Sequence, residues 1–396
     1  MRIDAVDFFY LSMPTITTDA DGSQDALLVR VVADGAQGWG ECEASPLASI
    51  AAFVTPMSHG ACQPVSASVL GQDLNSPDDI ERIARQVRRN SMDLLQAPHT
   101  FSGIEIAMWD LLGQVRDEPV WRMLGYRTSE PKIPYASLLF GATAQDTLDR
   151  GRAAVGRGFR ALKFGWAGFG EGTLEQDADQ LVAAREALGD DGHLFIDAGQ
   201  IWGEDVEAAA IRFPVLDKVH AEWLEEPFEA DAHRAYAQLA ARATAVRIAG
   251  GEGAHNAHMA RNLIDVGKVG YIQVDCGRIG GIGPAKVIAD YAHERGVTYV
   301  NHTFTSHLAL SASLQPFAGL REHRICEYPA EPRQLAVALT ENHLEPDLNG
   351  AIAAPDAPGL GMRVDTIALE PYLVDVEISV AGRSLFASSG LSPQPR

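Results

Sequence analysis

Residues 161–197 read ALKFGWAGFGEGTLEQDADQLVAAREALGDDGHLFID. Two short apolar runs, Ala161–Phe164 and Leu194–Asp197, bracket a Gly-rich turn and a helix-like segment, Asp177–Leu188. A strand, a helix and a second strand in that order pair in parallel through a right-handed crossover. The same unit recurs on both sides. Further strand candidates are Ile133–Leu139, Ala221–Glu225, Val246–Ala249, Tyr271–Val274, Thr298–Val300 and Ile325–Cys326, and the helices among them include Ala230–Ala241, Ala257–Val266, Pro284–Arg295 and His307–Phe317. Eight such runs between residues 131 and 335 predict an α/β fold built on a (β/α)7–8 TIM-type barrel.

Working outward, residues 1–130 read as α+β. The runs Ala26–Val32 and Gln37–Glu43 flank Asp34-Gly35, a strong hairpin signal. Ser76-Pro77-Asp78-Asp79 opens a helix that runs to about Asn90, and Ser102–Leu124 carries Ile104, Ile106, Met108, Leu111 and Leu112 at helical period. Ala44–Pro64, rich in Ser, Ala and Pro and without period, is expected to be a long ordered loop. Beyond residue 335 the alternation stops. The segment 336–396 is Pro-rich with a strand-like run at Tyr372–Val380, and it is expected to return to the first domain.

With 53 acidic against 32 basic residues the formal charge is −21, which repels phosphate backbones and anionic membranes, so nucleic-acid and membrane roles are excluded. The cysteines Cys42, Cys62, Cys276 and Cys326 are scattered, with no C-x-x-C pair for zinc or redox chemistry. The N-terminal stretch MRIDAVDFFYLSMP mixes acids into its apolar residues, unlike a signal peptide or an anchor. A reduced, cytoplasmic protein is expected.

A TIM-type barrel carries its chemistry at the C-terminal ends of its strands. Here those ends hold Lys163, Asp197, Glu225 with Glu226, Glu252, Asp275, His302 and Glu327, spaced 23 to 34 residues apart, the period of a βα unit. Taken singly, each has an ordinary structural explanation: a helix cap, a solvated loop charge, a snorkelling lysine or a buried histidine. Together they converge on one mouth. Acids on three consecutive strands repel one another unless a cation lies between them, and a set of hard oxygens suits Mg²⁺.

On these motifs the chain resembles the enolase superfamily, in particular its mandelate racemase subgroup. The matching pieces are Ala-Leu-Lys163-Phe-Gly, Ile-Asp197-Ala, Trp-Leu-Glu225-Glu-Pro, Gly-Gly-Glu252, Gln-Val-Asp275 with Arg-Ile-Gly-Gly, Asn-His302 and Cys-Glu327. The resemblance implies an α+β capping domain formed by the N-terminal part and the C-terminal tail over the barrel. It also implies Mg²⁺ held by Asp197, Glu225 and Glu252, Lys163 as a general base, His302 with Asp275 as the opposite acid/base, and Glu327 as hydrogen-bond donor to a developing enolate. Two positions depart from the family pattern: Ala161 stands where Lys-x-Lys would have its first lysine, and Gly199 where Asp-x-Asn would have its asparagine.

The resemblance points to a Mg²⁺-dependent dehydratase that converts an acid sugar to a 2-keto-3-deoxy acid, with a racemase or epimerase of a 2-hydroxy acid, or a sugar-lactone cycloisomerase, as the alternatives. The partner is a small carboxylate, and the chain is expected to form a homo-oligomer. Substrate choice is expected from two capping loops, Pro14–Gln24 with Thr15, Thr17, Thr18, Asp19 and Asp21, and Ala44–Pro64 with Ser45, Ser49 and His59. Gly165–Gly172 reads as a βα loop, fitting no phosphate-binding motif, and His255-x-x-His258 as a solvated helix face. His307 is expected either to cap its helix or to touch substrate.

Overall fold

The computed structural model describes residues 1–43, 45–303 and 305–391. The chain begins with a three-stranded antiparallel sheet, β1 (Ile3–Ser12), β2 (Asp25–Ala33) and β3 (Ala36–Cys42), in sequential order. The expected hairpin joins β2 to β3, with Asp34 and Gly35 both at positive φ (48° and 83°), the backbone of a two-residue turn that follows strand twist. The sequence reading assigned no strand to β1. Its acids Asp4 and Asp7 obscure the alternation but are satisfied locally: Asp4 accepts from Asp34 N at 2.8 Å and Asp7 pairs with Arg30 at 2.8 Å.

The sheet packs on the helix Ala97–Arg116. β3 carries Gly38 and Gly40 because a Cβ there would lie 2.3 and 2.2 Å from the carbonyl oxygens of Ala107 and Gly103. That helix starts earlier than expected and stops at Asp117, at φ 55°. A separate short helix, Val120–Met123, follows Pro119 in place of the single run to Leu124. The helix Pro77–Asn90 forms as expected, with a Ser76/Asp79 capping box. The loop expected over Ala44–Pro64 is corrected: Pro46–Val54 is a helix whose Ile50 and Phe53 are buried, Phe53 lying 4.9 Å from Phe8 between ring centroids. Burial against the sheet, not a visible period, makes it helical. Ala44 itself lies outside the described residues.

Eight parallel strands follow: β4 (Ile133–Leu139), β5 (Ala161–Gly165), β6 (His193–Asp197), β7 (Ala221–Glu225), β8 (Arg247–Gly250), β9 (Tyr271–Val274), β10 (Thr298–Asn301) and β11 (Ile325–Pro329). Their order, β10-β9-β8-β7-β6-β5-β4-β11, is that of a barrel opened between β10 and β11. At that seam the Asn301 side chain stands in for a ladder: its Oδ1 accepts from Glu327 N at 2.9 Å and its Nδ2 donates to Glu327 O at 3.3 Å. Inside, Tyr135, Ala161, Phe195, Trp223, Ala249, Val300 and Ile325 fill the floor, with Phe195 stacked on Trp223 at 3.7 Å.

The tail does return to the first sheet. Val374 N donates to Tyr10 O at 2.8 Å, and Arg30 Nη1 reaches Leu391 O at 3.2 Å. Its strand is shorter than the expected Tyr372–Val380, because Glu370–Tyr372 is a 3₁₀ turn; β12 (Glu377–Val380) then pairs with β13 (Arg383–Ala387). Among the described residues no helix is long and apolar enough to cross a membrane.

Candidate active site

Strand alternation does the positioning. Ala161, Phe195, Trp223, Val300 and Ile325 point inward at floor level, and the inward position two residues further on holds Lys163, Asp197, Glu225, His302 and Glu327. Apolar floor and charged mouth are successive layers of the same strands. Lys163 Nζ lies 2.8 Å from Glu225 Oε1, 2.9 Å from Glu327 Oε1 and 3.4 Å from Asp197 Oδ2. Asp197, Glu225 and Glu252 each offer an oxygen within 4.8 Å of the others. Trp223 Nε1 donates to Glu225 Oε2 at 3.0 Å, and Gly199 N to Asp197 Oδ1 at 2.9 Å, so both carboxylates are oriented by their own strands.

Across the mouth, His302 Nδ1 lies 2.6 Å from Asp275 Oδ2 and its Nε2 lies 3.2 Å from Glu252 Oε2. Glu327 is fully buried, and its Oε2 accepts from Thr303 N at 2.7 Å. All seven residues expected at the strand ends therefore meet in one place.

The sequence reading left out Arg278, Glu43 and Glu41. Arg278 sits in the quoted Arg-Ile-Gly-Gly segment and contacts Glu252 at 3.2 Å, Glu43 just past the capping sheet at 3.3 Å and Asp275 at 4.0 Å. Glu41, in β3 two residues before Glu43, accepts from Ser306 Oγ. Glu226, fully buried beside Glu225, accepts from Gln200 Nε2 at 2.7 Å.

Burial would raise the Glu252 carboxyl, but the facing cations of His302, Arg278 and Lys163 outweigh it and hold it down to about 2. Burial would lower His302, yet Glu252, Glu327 and the Asp275 hydrogen bond lift it to about 10. Burial pushes Glu41 and Glu226 up to about 8. Lys163, ringed by carboxylates, stays protonated here well above its usual range, against the opposing effect of its burial.

Lys163, Asp197, Glu252, His302, Arg278 and Glu43 line a cavity of about 910 Å³ to which the capping loop adds Asp19, Ala20, Asp21 and Gly22. Arg333, just after the last barrel strand, holds that loop through Asp21 at 2.6 Å and Asp19 at 3.2 Å. The second expected loop contributes nothing to the cavity among its described residues: Ser49 accepts from Gln96 and Thr100 within the cap, and His59 pairs with Asp93 at 3.3 Å. His307 neither caps nor reaches the mouth. Ser306 caps that helix, and His307 Nδ1 accepts from Leu344 N at 3.1 Å. His255 and His258 are both exposed as expected, and His255 also meets His99 of the cap at 3.0 Å.

The family model for the enolase C-terminal domain-like fold matches residues 146–368, and that for the mandelate racemase / muconate lactonizing enzyme N-terminal domain matches residues 10–125. The chain belongs to the mandelate racemase group of the enolase superfamily. Within that superfamily it is 30% identical over 354 residues to a D-galactarolactone cycloisomerase of Agrobacterium fabrum, covering 86% of this chain and 88% of the relative. It is 26% identical over 386 residues to a D-xylonate dehydratase of Haloferax volcanii, covering 91% and 88%. The crystal structure described as a predicted mandelate racemase from Rhodobacter sphaeroides is 64% identical with a TM-score of 0.95, covering 98% of this chain and 99% of that one. The chain belongs to a superfamily of enzymes, and its relatives there include acid-sugar dehydratases and cycloisomerases.

Proposed function

We propose that the chain is a Mg²⁺-dependent acid-sugar dehydratase working by β-elimination. One observation carries this reading: two proton-transfer groups, Lys163 and the His302–Asp275 pair, reach a three-carboxylate cluster from different sides, Lys163 against Asp197 and Glu225, His302 against Glu252. The donor set is three hard oxygens, the type Mg²⁺ accepts while keeping positions for substrate oxygens. When bound there, the ion would draw charge from the substrate carboxylate and ease loss of the α-proton.

The residues of the chain supply the rest. With the three acids engaged by a cation, Lys163 loses the carboxylates that hold its proton and becomes a base for the α-proton. Asp275 accepts from His302 Nδ1–H, which leaves Nε2 to deliver a proton to the departing β-hydroxyl. Glu327, 2.9 Å from Lys163 Nζ, is the group that would donate a hydrogen bond to the developing charge. The C–H bond at carbon two breaks, the C–O bond at carbon three breaks, and the enol left behind tautomerises to a 2-keto-3-deoxy acid.

The relative from Agrobacterium fabrum supports a second outcome, in which the leaving oxygen belongs to a ring and the same elimination opens it. Incubation with Mg²⁺ and a panel of aldonic, aldaric and lactonised acids, scored for 2-keto acid, is the test. Formation of water and a 3-deoxy product is expected, and inversion at carbon two without any keto acid would overturn the reading.

A further inference from the structure

We propose that Trp166 is a specificity-determining residue whose indole takes the C–H face of the substrate's carbon chain beyond the reacting carbons, a role that rests on the acid-sugar reading above. Trp166 follows the end of β5 and lines the cavity beside Lys163 and Asp197, yet 40% of it is exposed. An apolar ring of that size at the mouth of a charged cavity has a free face.

The backbone that presents it is unusual. Trp166, Ala167 and Gly168 are all left-handed, at φ 56°, 52° and 88°, and the first two are residues that seldom adopt this region. Such conformations persist where the surroundings enforce them, and they concentrate at functional sites. The enforcing contacts are present. Trp166 O accepts from Phe169 N at 3.2 Å to close the turn, and Phe169 is buried against Phe140 at 5.0 Å and Trp202 at 6.1 Å. The indole is thus held by an anchored turn.

A second, independent observation lies across the cavity wall. Gly199 is itself at φ 56°, and a Cβ built there would lie 2.7 to 2.9 Å from three ring atoms of Trp166. Any side chain at 199 would drive the indole from its place. Where the family pattern has an amide after its strand-three acid, this chain has a glycine with an aromatic ring against it. A polar contact has been exchanged for a flat apolar wall.

An acid sugar has hydroxyls on some of its faces and only C–H groups on others. Held by its carboxylate at the cluster, a chain of five or six carbons extends past carbon three towards the mouth. Its hydroxyls meet Asp19, Asp21 and Arg150, which line the same cavity, while its C–H groups meet Trp166. A three-carbon acid has no chain beyond the reacting carbons to lay against the ring. The class selected is therefore a five- or six-carbon acid sugar, open or ring-closed.

The test compares wild type, Trp166→Ala and Trp166→Phe, each checked for an unchanged circular dichroism spectrum, on acids of three to six carbons. Trp166→Ala is expected to raise KM for the longer acids by roughly tenfold with a smaller change in kcat, and to collapse the preference for them over the three-carbon acid. Trp166→Phe, which keeps an aromatic face, is expected to recover most of that preference. An unchanged chain-length preference in Trp166→Ala overturns the inference and leaves the elimination reading intact. If wild type converts no acid sugar, the elimination reading falls, and fluorescence titration with the same acids decides the role of Trp166: quenching in wild type that disappears in Trp166→Phe supports it, and identical quenching or none refutes it.

Discussion

Arg278 of the barrel and Glu43 of the cap meet at 3.3 Å, and the same guanidinium reaches Glu252 at 3.2 Å, so one side chain ties the cap to the carboxylate cluster. Glu43→Gln removes the charge on the cap side while Arg278 keeps Glu252 and Asp275 as partners. KM is expected to rise roughly tenfold, the worth of a charge-assisted hydrogen bond, with a smaller change in kcat. Steady-state kinetics on the substrate from the panel check this, and a loss confined to kcat would place Glu43 in the chemistry instead.

Lys163 balances the carboxylate cluster when no other cation does. In EDTA, Lys163→Met is expected to melt several degrees below wild type, because three buried acids lose their common counter-ion, and Mg²⁺ is expected to restore most of the difference. Differential scanning calorimetry with and without the ion reads this directly. No recovery with Mg²⁺ would argue against a cation site among Asp197, Glu225 and Glu252.

Proton transfer is assigned to the two sides of the cluster. Lys163→Ala and His302→Asn are each expected to lower kcat by about 10²–10⁴-fold, the usual worth of a general acid or base. In D₂O the wild-type product should carry deuterium at carbon three, and returned substrate should show no inversion at carbon two. Near wild-type rates in both variants would move the active site away from this mouth.

Glu327 accepts from Thr303 N and faces Lys163. Glu327→Gln retains an oxygen for the Thr303 amide and an N–H for the substrate side, whereas Glu327→Leu leaves a buried N–H unpartnered. Turnover should therefore survive better in Gln than in Leu. Equal losses in the two, measured at matched folding, would contradict the donor role.

Stability should fall in mild acid through two histidines remote from the mouth. His323 Nδ1 accepts from Tyr299 N at 3.1 Å and His307 Nδ1 from Leu344 N at 3.1 Å, so each ring must be deprotonated on that nitrogen. Burial, with His293 and Lys132 beside His323 and His343 beside His307, holds both near pH 4; for His323, Glu322 pulls the other way. The unfolded chain takes up these protons first, near its ordinary pH 6.5. The stabilisation is therefore complete above that value and is lost as the pH falls towards 4, by up to about 1.4 kcal/mol per pH unit for each histidine. His323→Phe should lower the melting temperature at pH 7 and flatten its decline to pH 5, whereas parallel curves would refute the linkage.

The strand ends were legible because two periodicities coincide: alternation within each strand and the βα repeat between strands together put Lys163, Asp197, Glu225, His302 and Glu327 in one layer, with Glu252 and Asp275 just past the ends of their strands. What escaped reading depends on partners distant in the chain. β1 is disguised by Asp4 and Asp7, whose partners lie a hairpin away, and the helix Pro46–Val54 has its buried face defined by Phe8 of the sheet and by the helix Ala97–Arg116. Arg278 was in view as part of a motif, but its tie to Glu43 spans 235 residues of sequence. Gly199, read only as a missing asparagine, acquires a meaning when the Trp166 ring is found against it.

The barrel is fastened at its seam by the amide of Asn301, a clasp between the two staves that end in His302 and Glu327. Every other pair of neighbouring staves is zipped by main-chain bonds whatever side chains they bear, whereas this pair is aligned through side chains, Asn301 foremost with Glu327 and His323 beside it. An Asn301→Leu substitution would unbuckle the cylinder at the point where His302 and Glu327 stand side by side, so closing the wall and setting the distance between those two groups are one structural act.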